Sequence, residues 1–377
     1  MTFYDTIQEK NWTEIKEKIY SKNKTDVIKA LNSAGNGSLP DFMSLVSPAA
    51  SDFLEEMAQL SRQLTLKRFG KTVQLYIPLY LSNECTNICV YCGFNHNNKL
   101  DRNTLSLKQI REEAVKIKKM GFEHLLLVTG EHPEKAGTKY LMSAINEIKE
   151  LFSQVSIEVQ PLKTKEYKEL ANKGLNSVYI YQETYNQQNY NIYHPKGKKA
   201  NFRYRIETPD RIGSAGVHKI GLGVLLGLED WRADSYFTAL HMSYLQQKYW
   251  RTKYSVSFPR LRPFEGSYQP NYNITDRELV QLITAYRIFD ENVELALSTR
   301  ENAFFRDHTF PLGITTMSAG SKTEPGGYST ENKFLEQFSV ADNRTPEEVK
   351  TAIEAKGYEA VWKNWDGSLQ HSNGTIK

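Results

Sequence analysis

The stretch Tyr76-Ile-Pro-Leu-Tyr-Leu-Ser82-Asn-Glu-Cys85-Thr-Asn-Ile-Cys89-Val-Tyr-Cys92 joins an apolar run, typical of a buried strand, to a loop that holds every cysteine of the chain. Only three cysteines occur in 377 residues. An odd number of clustered thiols cannot form a closed set of disulfides, whereas thiolates are good ligands for zinc and for iron-sulfur clusters. The stretch therefore predicts a buried strand that leads into a metal-binding loop.

Three interpretations of this loop are compatible with the sequence. The cysteines could be clustered by chance, which is improbable because the rest of the chain has none. Structural zinc normally takes four protein ligands, and the fourth would have to be a histidine such as His96. The spacing of Cys85, Cys89 and Cys92 instead supplies three thiolates to a four-iron cluster and leaves one iron without a protein ligand. We expect the cluster, and an open iron indicates catalysis.

Short apolar, β-branched or aromatic runs alternate with amphipathic stretches after residue 71. One such stretch, 106–120, begins with a capping box formed by Ser106 and Gln109, and another spans 275–291. Alternation of strands and helices predicts a parallel sheet, and eight units in about 250 residues is the size of a (β/α)8 barrel of the TIM type. An open doubly wound sheet is the alternative. The eight runs are 73–81, 124–129, 155–160, 177–182, 219–226, 254–259, 293–299 and 314–319.

The chain ends carry their own signals. Ser47 and Pro48 form a helix start, and Gly70 is placed to end that helix. Near the other end, a capped helix spans 345–357 and is followed by Trp362 and Trp365. The predicted units are a helical N-terminal extension at 1–70, the α/β barrel at 71–325, and a C-terminal segment at 326–377 that packs on the barrel as a cover.

Polar residues follow the predicted strands at the same end of each run. In a β/α barrel this end carries the active site, so we expect these side chains to line it. Besides the cysteines, they are Glu131, Gln160, Glu183, Asp230, Arg260, Arg262, Arg300 and Ser318.

Composition and charge exclude several classes of protein. Lys plus Arg minus Asp plus Glu is 48 − 44 = +4, without long basic blocks, so we expect no nucleic-acid partner. No apolar stretch approaches the roughly 20 residues of a membrane helix, and we expect no membrane association. Residues 1–10 do not resemble an export signal, so the predicted location is the cytoplasm.

The cysteine spacing, with Tyr91 just before the third cysteine, resembles the cluster motif of the radical S-adenosylmethionine (SAM) superfamily. Thr129-Gly130-Glu131 resembles the Gly-Gly-Glu element of that superfamily, with a threonine in place of the first glycine. A third element, Gly223-Val-Leu-Leu-Gly-Leu-Glu-Asp230, is similar to the Gly-x-Ile-x-Gly-x-x-Glu motif that lies against the adenine, with leucine and aspartate as its departures.

Longer stretches resemble the 2-iminoacetate synthase family, the tyrosine lyases of bacterial thiamine thiazole biosynthesis. A related enzyme that makes ligands of the iron-only hydrogenase also cleaves tyrosine, but it carries a second cluster on C-terminal cysteines, and this chain has no cysteine after Cys92. A tryptophan lyase of the superfamily also has one cluster and stays an alternative. The stretches that carry the resemblance are 45–51, 76–82, 121–132, 158–161, 181–185, 207–211, 254–263 and 297–301.

The resemblance implies an enzyme with one 4Fe-4S cluster on Cys85, Cys89 and Cys92, and SAM bound to the fourth iron. Cleavage of SAM would give methionine and a 5'-deoxyadenosyl radical that removes a hydrogen atom from the amino group of L-tyrosine. The Cα–Cβ bond would then break to give 2-iminoacetate (dehydroglycine) and p-cresol. A zinc- or cluster-binding scaffold without catalysis is the alternative from a different class.

The resemblance also implies roles for residues that bind SAM. Glu131 would bind its amino group, Glu183 its ribose hydroxyls and Arg205 its methionine carboxylate, although Arg203 and Arg211 are near enough to compete. The remaining predicted contacts to SAM are Tyr91, Gln160 and Val224.

The substrate carboxylate needs a cationic anchor, and an arginine fork can bind it through two parallel hydrogen bonds. We predict Arg300 for this role and Ser318 as a second donor. An ion pair of Arg300 with Glu301 or Asp307 is the alternative. Arg260 and Arg262 could serve the carboxylate or the phenol. The family further implies thiazole synthase as the acceptor of 2-iminoacetate and a flavodoxin or ferredoxin as the electron donor.

Overall fold

Eight parallel strands close into a barrel in the computed structural model, which describes residues 2–99, 101–264, 266–329 and 336–363. Each strand pairs with the next in sequence, and the first also pairs with the eighth, which closes the ring. The barrel prediction is thus confirmed, and the open doubly wound sheet is wrong. The strands are β1 (Thr72–Ser82), β2 (His124–Thr129), β3 (Gln154–Glu158), β4 (Leu175–Tyr179), β5 (Lys219–Gly223), β6 (Lys253–Ser257), β7 (Glu294–Leu297), β8 (Thr316–Ser318) and a short additional strand, β9 (Glu359–Val361).

Helices precede the barrel, connect its strands and follow it. Helices α1 to α5 form the N-terminal part, and most of the others return the chain from one strand to the next. They are α1 (Phe3–Gln8), α2 (Trp12–Tyr20), α3 (Lys24–Asn32), α4 (Leu39–Leu45), α5 (Leu54–Phe69), α6 (Leu107–Lys119), α7 (Thr138–Ile148), α8 (Thr164–Ala171), α9 (Tyr190–Tyr193), α10 (Phe202–Ile206), α11 (Thr208–Ser214), α12 (Trp231–Lys248), α13 (Asp276–Phe289), α14 (Ala303–Thr309) and α15 (Pro346–Ala355).

The helix start predicted at Ser47 has a different form in the structure. Residues Pro48–Phe53 form a 3₁₀ helix, and α5 begins only at Leu54. The hydroxyl of Ser47 donates to the carbonyl of Ser44 at 2.7 Å, so it does not cap the helix that follows. The end was predicted correctly, because Gly70 stops α5 with a φ of +66°.

The C-terminal part joins the sheet as well as covering it. β9 pairs in parallel with residues Thr72 to Gln74 of β1, below the point where β1 pairs with β2. Trp362 then packs edge-on against Phe122, with ring centres 5.0 Å apart. Trp365 lies outside the described residues.

Buried polar pairs fill the barrel at the N-terminal ends of its strands. Lys219 and Glu294, the first residues of β5 and β7, form an ion pair of 2.6 Å. His124, the first residue of β2, contacts the hydroxyl of Ser156 at 2.8 Å. Because these pairs close the lower interior, space for a ligand lies at the C-terminal ends of the strands. No helix among the described residues combines the length and apolarity needed to cross a bilayer.

Candidate active site

The cysteine loop follows β1 at the C-terminal end of the barrel. Cys89 is buried, and Cys85 and Cys92 are half-buried. Backbone hydrogen bonds fix the loop on two sides, since Thr86 N–H donates to the carbonyl of Glu131 at 3.0 Å and Gly93 N–H to that of Gln337 at 3.1 Å. The thiols are therefore held between the end of β2 and the C-terminal segment.

His96 does not join the thiols as a fourth metal ligand. Its Nδ1 lies 3.0 Å from the backbone carbonyl of Cys85 instead. Within the described part of the chain, no three His, Cys, Asp or Glu side chains are close enough to hold a single metal ion. A four-iron cluster is larger than one ion and accepts thiolates that stand further apart. The arrangement thus favours the cluster over zinc.

All three cysteines line a cavity of about 560 Å³, here called the cluster cavity. Burial raises the pKa of each thiol, that of Cys92 to about 11, so a bound metal must displace protons from all three. Thr129 also lines this cavity, and its buried hydroxyl has no hydrogen-bond partner among the described atoms. Three thiols suited to iron, next to a polar side chain without a partner, fit an iron-sulfur cluster that also binds a polar ligand such as SAM.

A network of opposite charges forms one wall of the cluster cavity. Arg205 Nη1 lies 2.9 Å from Glu131 Oε1, and Asn87 donates to the other oxygen of Glu131 at 2.8 Å. Lys199 Nζ lies 2.7 Å from Glu183 Oε1, and Arg205 reaches the same oxygen at 3.6 Å. Burial alone would raise the pKa of Glu131, but Arg205 and Lys199 hold it below its ordinary value. Glu131 is thus kept ionised within the site.

The backbone at Glu183 is in an unusual conformation. Its φ is +69°, and among the described residues it is the only one besides glycines with a positive φ. Beyond the end of β4, its carbonyl accepts a hydrogen bond from Leu225 N–H at 2.9 Å. A conformation of this kind costs of order 1–3 kcal/mol and is typical of functional sites, where it aims a side chain. Here it turns the carboxylate of Glu183 into the cavity.

Gly130 allows the cysteine loop to pack against the end of β2. A Cβ atom at this position would lie 2.3 Å from the carbonyl oxygen of Glu84, the residue before Cys85. Any side chain here would push the loop away. The glycine in Thr129-Gly130-Glu131 is therefore required by close approach of two backbones.

A second cavity, here called the mouth cavity, opens beside the cluster cavity and has about 1050 Å³ of empty space. Cys92, Glu158 and Glu183 line both cavities, so the two are continuous. The far wall of the mouth cavity carries Arg300 and Ser318. A molecule in the mouth cavity can therefore contact these two residues and the cluster cavity at once.

Arg300 has no carboxylate partner among the described residues. Its guanidinium lies 3.3 Å from the centre of the Phe338 ring and 3.4 Å from the carbonyl of Arg260. The two predicted alternatives for an ion pair bind elsewhere, since Glu301 pairs with Arg260 and Asp307 with Arg344. Burial lowers the pKa of Arg300. A half-buried cation without a carboxylate partner is suited to bind an anionic ligand.

Two family models match the sequence. The radical SAM superfamily matches residues 79–238, and the Biotin and Thiamin Synthesis associated domain matches 257–359. Among curated proteins, 2-iminoacetate synthase of Escherichia coli (strain K12) is 50% identical over 369 residues, which are 98% of both chains. The 2-iminoacetate synthase of Salmonella typhimurium (strain LT2) is 49% identical over 375 residues, which are 99% of both chains. This chain belongs to the 2-iminoacetate synthase family. It is accordingly a radical SAM lyase, with a 4Fe-4S cluster and SAM as cofactors.

Solved structures related to the 2-iminoacetate synthase family have the same fold. The FeFe-hydrogenase maturase HydG superposes with a TM-score of 0.90 and 28% identity, over 95% of this chain and 81% of HydG. HydG from Carboxydothermus hydrogenoformans superposes with a TM-score of 0.85 and 31% identity, over 96% of this chain and 83% of that HydG. Methylornithine synthase superposes with a TM-score of 0.72 at 20% identity, over 89% of this chain and 97% of that chain. At this identity the match shows a shared fold alone.

The structure brings most of the predicted site residues of this 2-iminoacetate synthase family member together. The cysteines, Glu131, Glu183 and Arg205 line the cluster cavity, while Tyr91, Arg262, Arg300 and Ser318 line the mouth cavity. The phenol of Tyr91 contacts His194 Nε2 at 2.7 Å, and its ring lies 5.6 Å from Lys199 Nζ.

Gln160 and Val224 lie outside both cavities. The amide of Gln160 donates to the carbonyl of Ala136 at 2.9 Å and borders a separate pocket behind Glu131. Val224 belongs to the main hydrophobic core, and its neighbour Leu225 lines the mouth cavity instead.

Arg260 also lies outside both cavities. It pairs with Glu301 at 2.9 Å and with Asp276 at 2.7 Å, so its charge is already satisfied within the protein. Arg262 also forms an ion pair with Glu301, at 2.6 Å, and it lines the mouth cavity. Of the three arginines, only Arg300 is free to bind an anion.

Sequence reasoning did not select two charged residues of the site, Glu158 and Lys199. Glu158 is the last residue of β3, where the predicted strand continued to residue 160. The correct strand end would have identified it. Lys199 lies on a short 3₁₀ helix in the long connection between β4 and β5, where no strand-end rule applies.

Proposed function

We propose that this chain cleaves the Cα–Cβ bond of L-tyrosine to give 2-iminoacetate (dehydroglycine) and p-cresol, for thiazole formation in thiamine biosynthesis. Methionine and 5'-deoxyadenosine are the other products. The observation that carries the proposal is the free cation Arg300 in a cavity that continues into the cysteine-lined cavity. Identity of about half over the full length of curated 2-iminoacetate synthases supports the same reaction.

The bound cluster and SAM supply the radical chemistry, and the protein positions and shields the reactants. We assign Cys85, Cys89 and Cys92 to the cluster. Glu131, Glu183 and Arg205 are assigned to the polar groups of SAM, because all three side chains line the cluster cavity. Their mutual ion pairs pre-orient them before any ligand binds.

For the substrate, we assign the carboxylate of tyrosine to Arg300 and Ser318. Ser318 lies at the end of β8, next to β7 and the loop of Arg300, and its hydroxyl accepts a hydrogen bond from Thr299 N–H at 3.0 Å. That bond does not use the hydroxyl proton of Ser318, which a ligand carboxylate would share with the phenol of Tyr76. The aromatic ring would lie among the apolar residues of the mouth cavity, which include Leu225, Phe258 and Leu261.

Partners follow from the chemistry of the product. 2-Iminoacetate hydrolyses easily in water, which favours direct transfer to a thiazole synthase. Cleavage of SAM needs one low-potential electron, and the 4-hydroxybenzyl radical left by bond cleavage needs a second electron and a proton to become p-cresol; a flavodoxin or ferredoxin is the proposed donor of the electrons. We place the enzyme in the cytoplasm, where a reducing environment keeps three free thiols available for the cluster.

Anaerobic turnover tests the proposal. Reconstituted enzyme is incubated with SAM, a low-potential reductant and either tyrosine or tryptophan, and the products are quantified by chromatography. We expect p-cresol and 5'-deoxyadenosine in comparable amounts from tyrosine and no cleavage of tryptophan. Absence of p-cresol, with cleavage of tryptophan instead, would refute the tyrosine assignment.

Metal analysis tests the assignment of the cysteines independently. We expect about four iron and four sulfide per chain after anaerobic reconstitution. About one zinc without acid-labile sulfide would identify a zinc scaffold instead. Cys89→Ala should lose most of the cluster, because Cys89 is the most deeply buried of the three thiols.

A further inference from the structure

Glu158 is a charged residue of the site that is not assigned to the cluster, to SAM or to the tyrosine carboxylate. It ends β3, is half-buried, and lines both the mouth cavity and the cluster cavity. Among the described residues it makes no ion pair and no side-chain hydrogen bond. The other two carboxylates of the cluster cavity wall, Glu131 and Glu183, are both paired with cations. Glu158 is therefore the carboxylate left over for a ligand.

Arg300 stands across the barrel from Glu158. In a ring of eight strands, β3 and β7 are four strands apart, so Glu158 and Arg300 rise from opposite walls. Each acts on the pKa of the other through its charge, yet they form no ion pair. Two uncompensated opposite charges that face one cavity are costly to bury unless a ligand joins them.

An α-amino acid is a ligand of this kind, because its ammonium and carboxylate groups leave the same carbon atom. We propose that Glu158 binds the amino group of the substrate while Arg300 binds its carboxylate. This inference rests on the proposed function and adds to it the group that recognises the amine. Since Glu158 also lines the cluster cavity, an amino group bound there faces the side from which the radical arrives.

The same geometry explains how the amino group is selected for attack. With the carboxylate fixed on one wall and the amine on the other, the amino acid can no longer rotate about the bond between Cα and the carboxylate carbon. The side chain then points into the apolar part of the mouth cavity. Glu158 is thus a specificity-determining residue for α-amino acids over carboxylic acids that lack the amine.

Binding to the oxidised holoenzyme tests this inference without turnover. Dissociation constants are measured anaerobically, with SAM present, for L-tyrosine, for 3-(4-hydroxyphenyl)propionate, which lacks the amine, and for tyramine, which lacks the carboxylate. We expect the wild type to bind tyrosine about 10- to 100-fold more tightly than the propionate, as for a charged hydrogen bond of ~1.5–3 kcal/mol. Glu158→Gln should reduce this ratio to within about threefold of unity, and Glu158→Asp should give an intermediate ratio.

Arg300→Met is the matched control. It should abolish the preference for tyrosine over tyramine, and it should leave the preference for tyrosine over 3-(4-hydroxyphenyl)propionate, which reports on the amine, largely intact. Unchanged iron content and SAM affinity in Glu158→Gln would show that the fold and the cluster are preserved. If Glu158→Gln keeps the wild-type ratio, or weakens SAM and not tyrosine, the inference is wrong. The proposed function fails separately, if the wild type forms no p-cresol from tyrosine.

Discussion

Arg205 on α10 and Glu131 after β2 form a buried ion pair, with Nη1 and Oε1 2.9 Å apart, although 74 residues separate them in the chain. The side chain of Arg205 is only 5% exposed. Its Nε also donates to the carbonyl of Tyr181 at 2.8 Å. Arg205 therefore connects the second and fourth strand ends directly behind the cysteines.

Arg205→Ala should weaken both SAM binding and the fold. Removing the cation leaves Glu131 buried without its main partner, which costs about 3–5 kcal/mol in comparable buried pairs. We expect a loss of this order in the free energy of unfolding by urea, and SAM affinity lower by at least tenfold. Arg203→Ala is the control, since Arg203, on the same helix as Arg205, is exposed and pairs with Glu207, and its loss should change either quantity little. Equal effects of both variants would contradict the role of Arg205.

Strand-end reasoning predicted from the sequence which polar side chains meet at one end of the barrel. Glu131, Glu183 and Arg300 follow three different strands and Ser318 ends a fourth, and the barrel brings them to one end as predicted. The rule depends only on alternation of strands and helices, which the apolar runs show clearly. Arg205 was found through family resemblance, because a helix in a long connection has no position that periodicity can predict.

Two of the predicted site residues lie outside the two cavities for physical reasons. Gln160 was chosen over Glu158 because apolar residues continue after β3, while pairing with β2 ends at Glu158. Arg260 is a candidate because it follows the sixth strand, but its partner Glu301 lies 41 residues away, and only the fold brings the two together. Strand ends and ion pairs are set by neighbours in space, which a single sequence does not specify.

Gly130→Ala should displace the cysteine loop. The added methyl group would meet the carbonyl of Glu84 at 2.3 Å, and neither backbone can move without shifting Cys85. We expect a loss of about 1–3 kcal/mol in stability and reduced iron content after reconstitution. Gly37→Ala is the matched control, because its nearest neighbours are at 3.4 Å or more, an ordinary contact. Wild-type iron content in Gly130→Ala would argue against the close approach.

Arg300 and Arg260 should respond differently to the same substitution. Arg300→Ala removes the free cation of the mouth cavity, so we expect tyrosine affinity to fall at least tenfold and 5'-deoxyadenosine to form without p-cresol. Arg260→Ala instead leaves Glu301 with Arg262 as its only described partner, so we expect lower thermal stability and the wild-type product ratio. Product ratios and melting temperatures of the two variants check this. Retained tyrosine affinity in Arg300→Ala would exclude it as the carboxylate anchor.

Gln337 should tune the cluster from the C-terminal segment. Its amide nitrogen lies 3.9 Å from the sulfur of Cys92, and its amide oxygen accepts a hydrogen bond from Tyr80 at 2.7 Å. Hydrogen bonds to cluster sulfurs stabilise the reduced, more negative state and so raise the reduction potential. Gln337→Leu should therefore lower the potential in an anaerobic redox titration followed by electron paramagnetic resonance. Gln337→Glu, which replaces the amide donor with a carboxylate, should lower it further, and an increase in either variant would contradict the assignment.

Tyrosine binding should depend on pH through Glu158. Burial raises the pKa of this carboxyl to about 7, although Arg300 across the cavity opposes the shift. Below pH 7 Glu158 is mostly protonated and cannot compensate an ammonium group, whereas above pH 7 it is ionised. The amine of tyrosine stays protonated below pH 7, so affinity should rise about tenfold per pH unit in that range and level off once Glu158 is ionised.

The binding curves between pH 5.5 and 8.5 check this dependence on the oxidised holoenzyme. Glu158→Gln should remove the rise, and 3-(4-hydroxyphenyl)propionate, which has no amine, should bind the wild type less tightly as the pH increases because Glu158 then repels its carboxylate. A rise in tyrosine affinity that persists in Glu158→Gln would assign the titration to another group. The opposite slopes for the two ligands are the expected signature, because they differ only in the amine that Glu158 is proposed to bind.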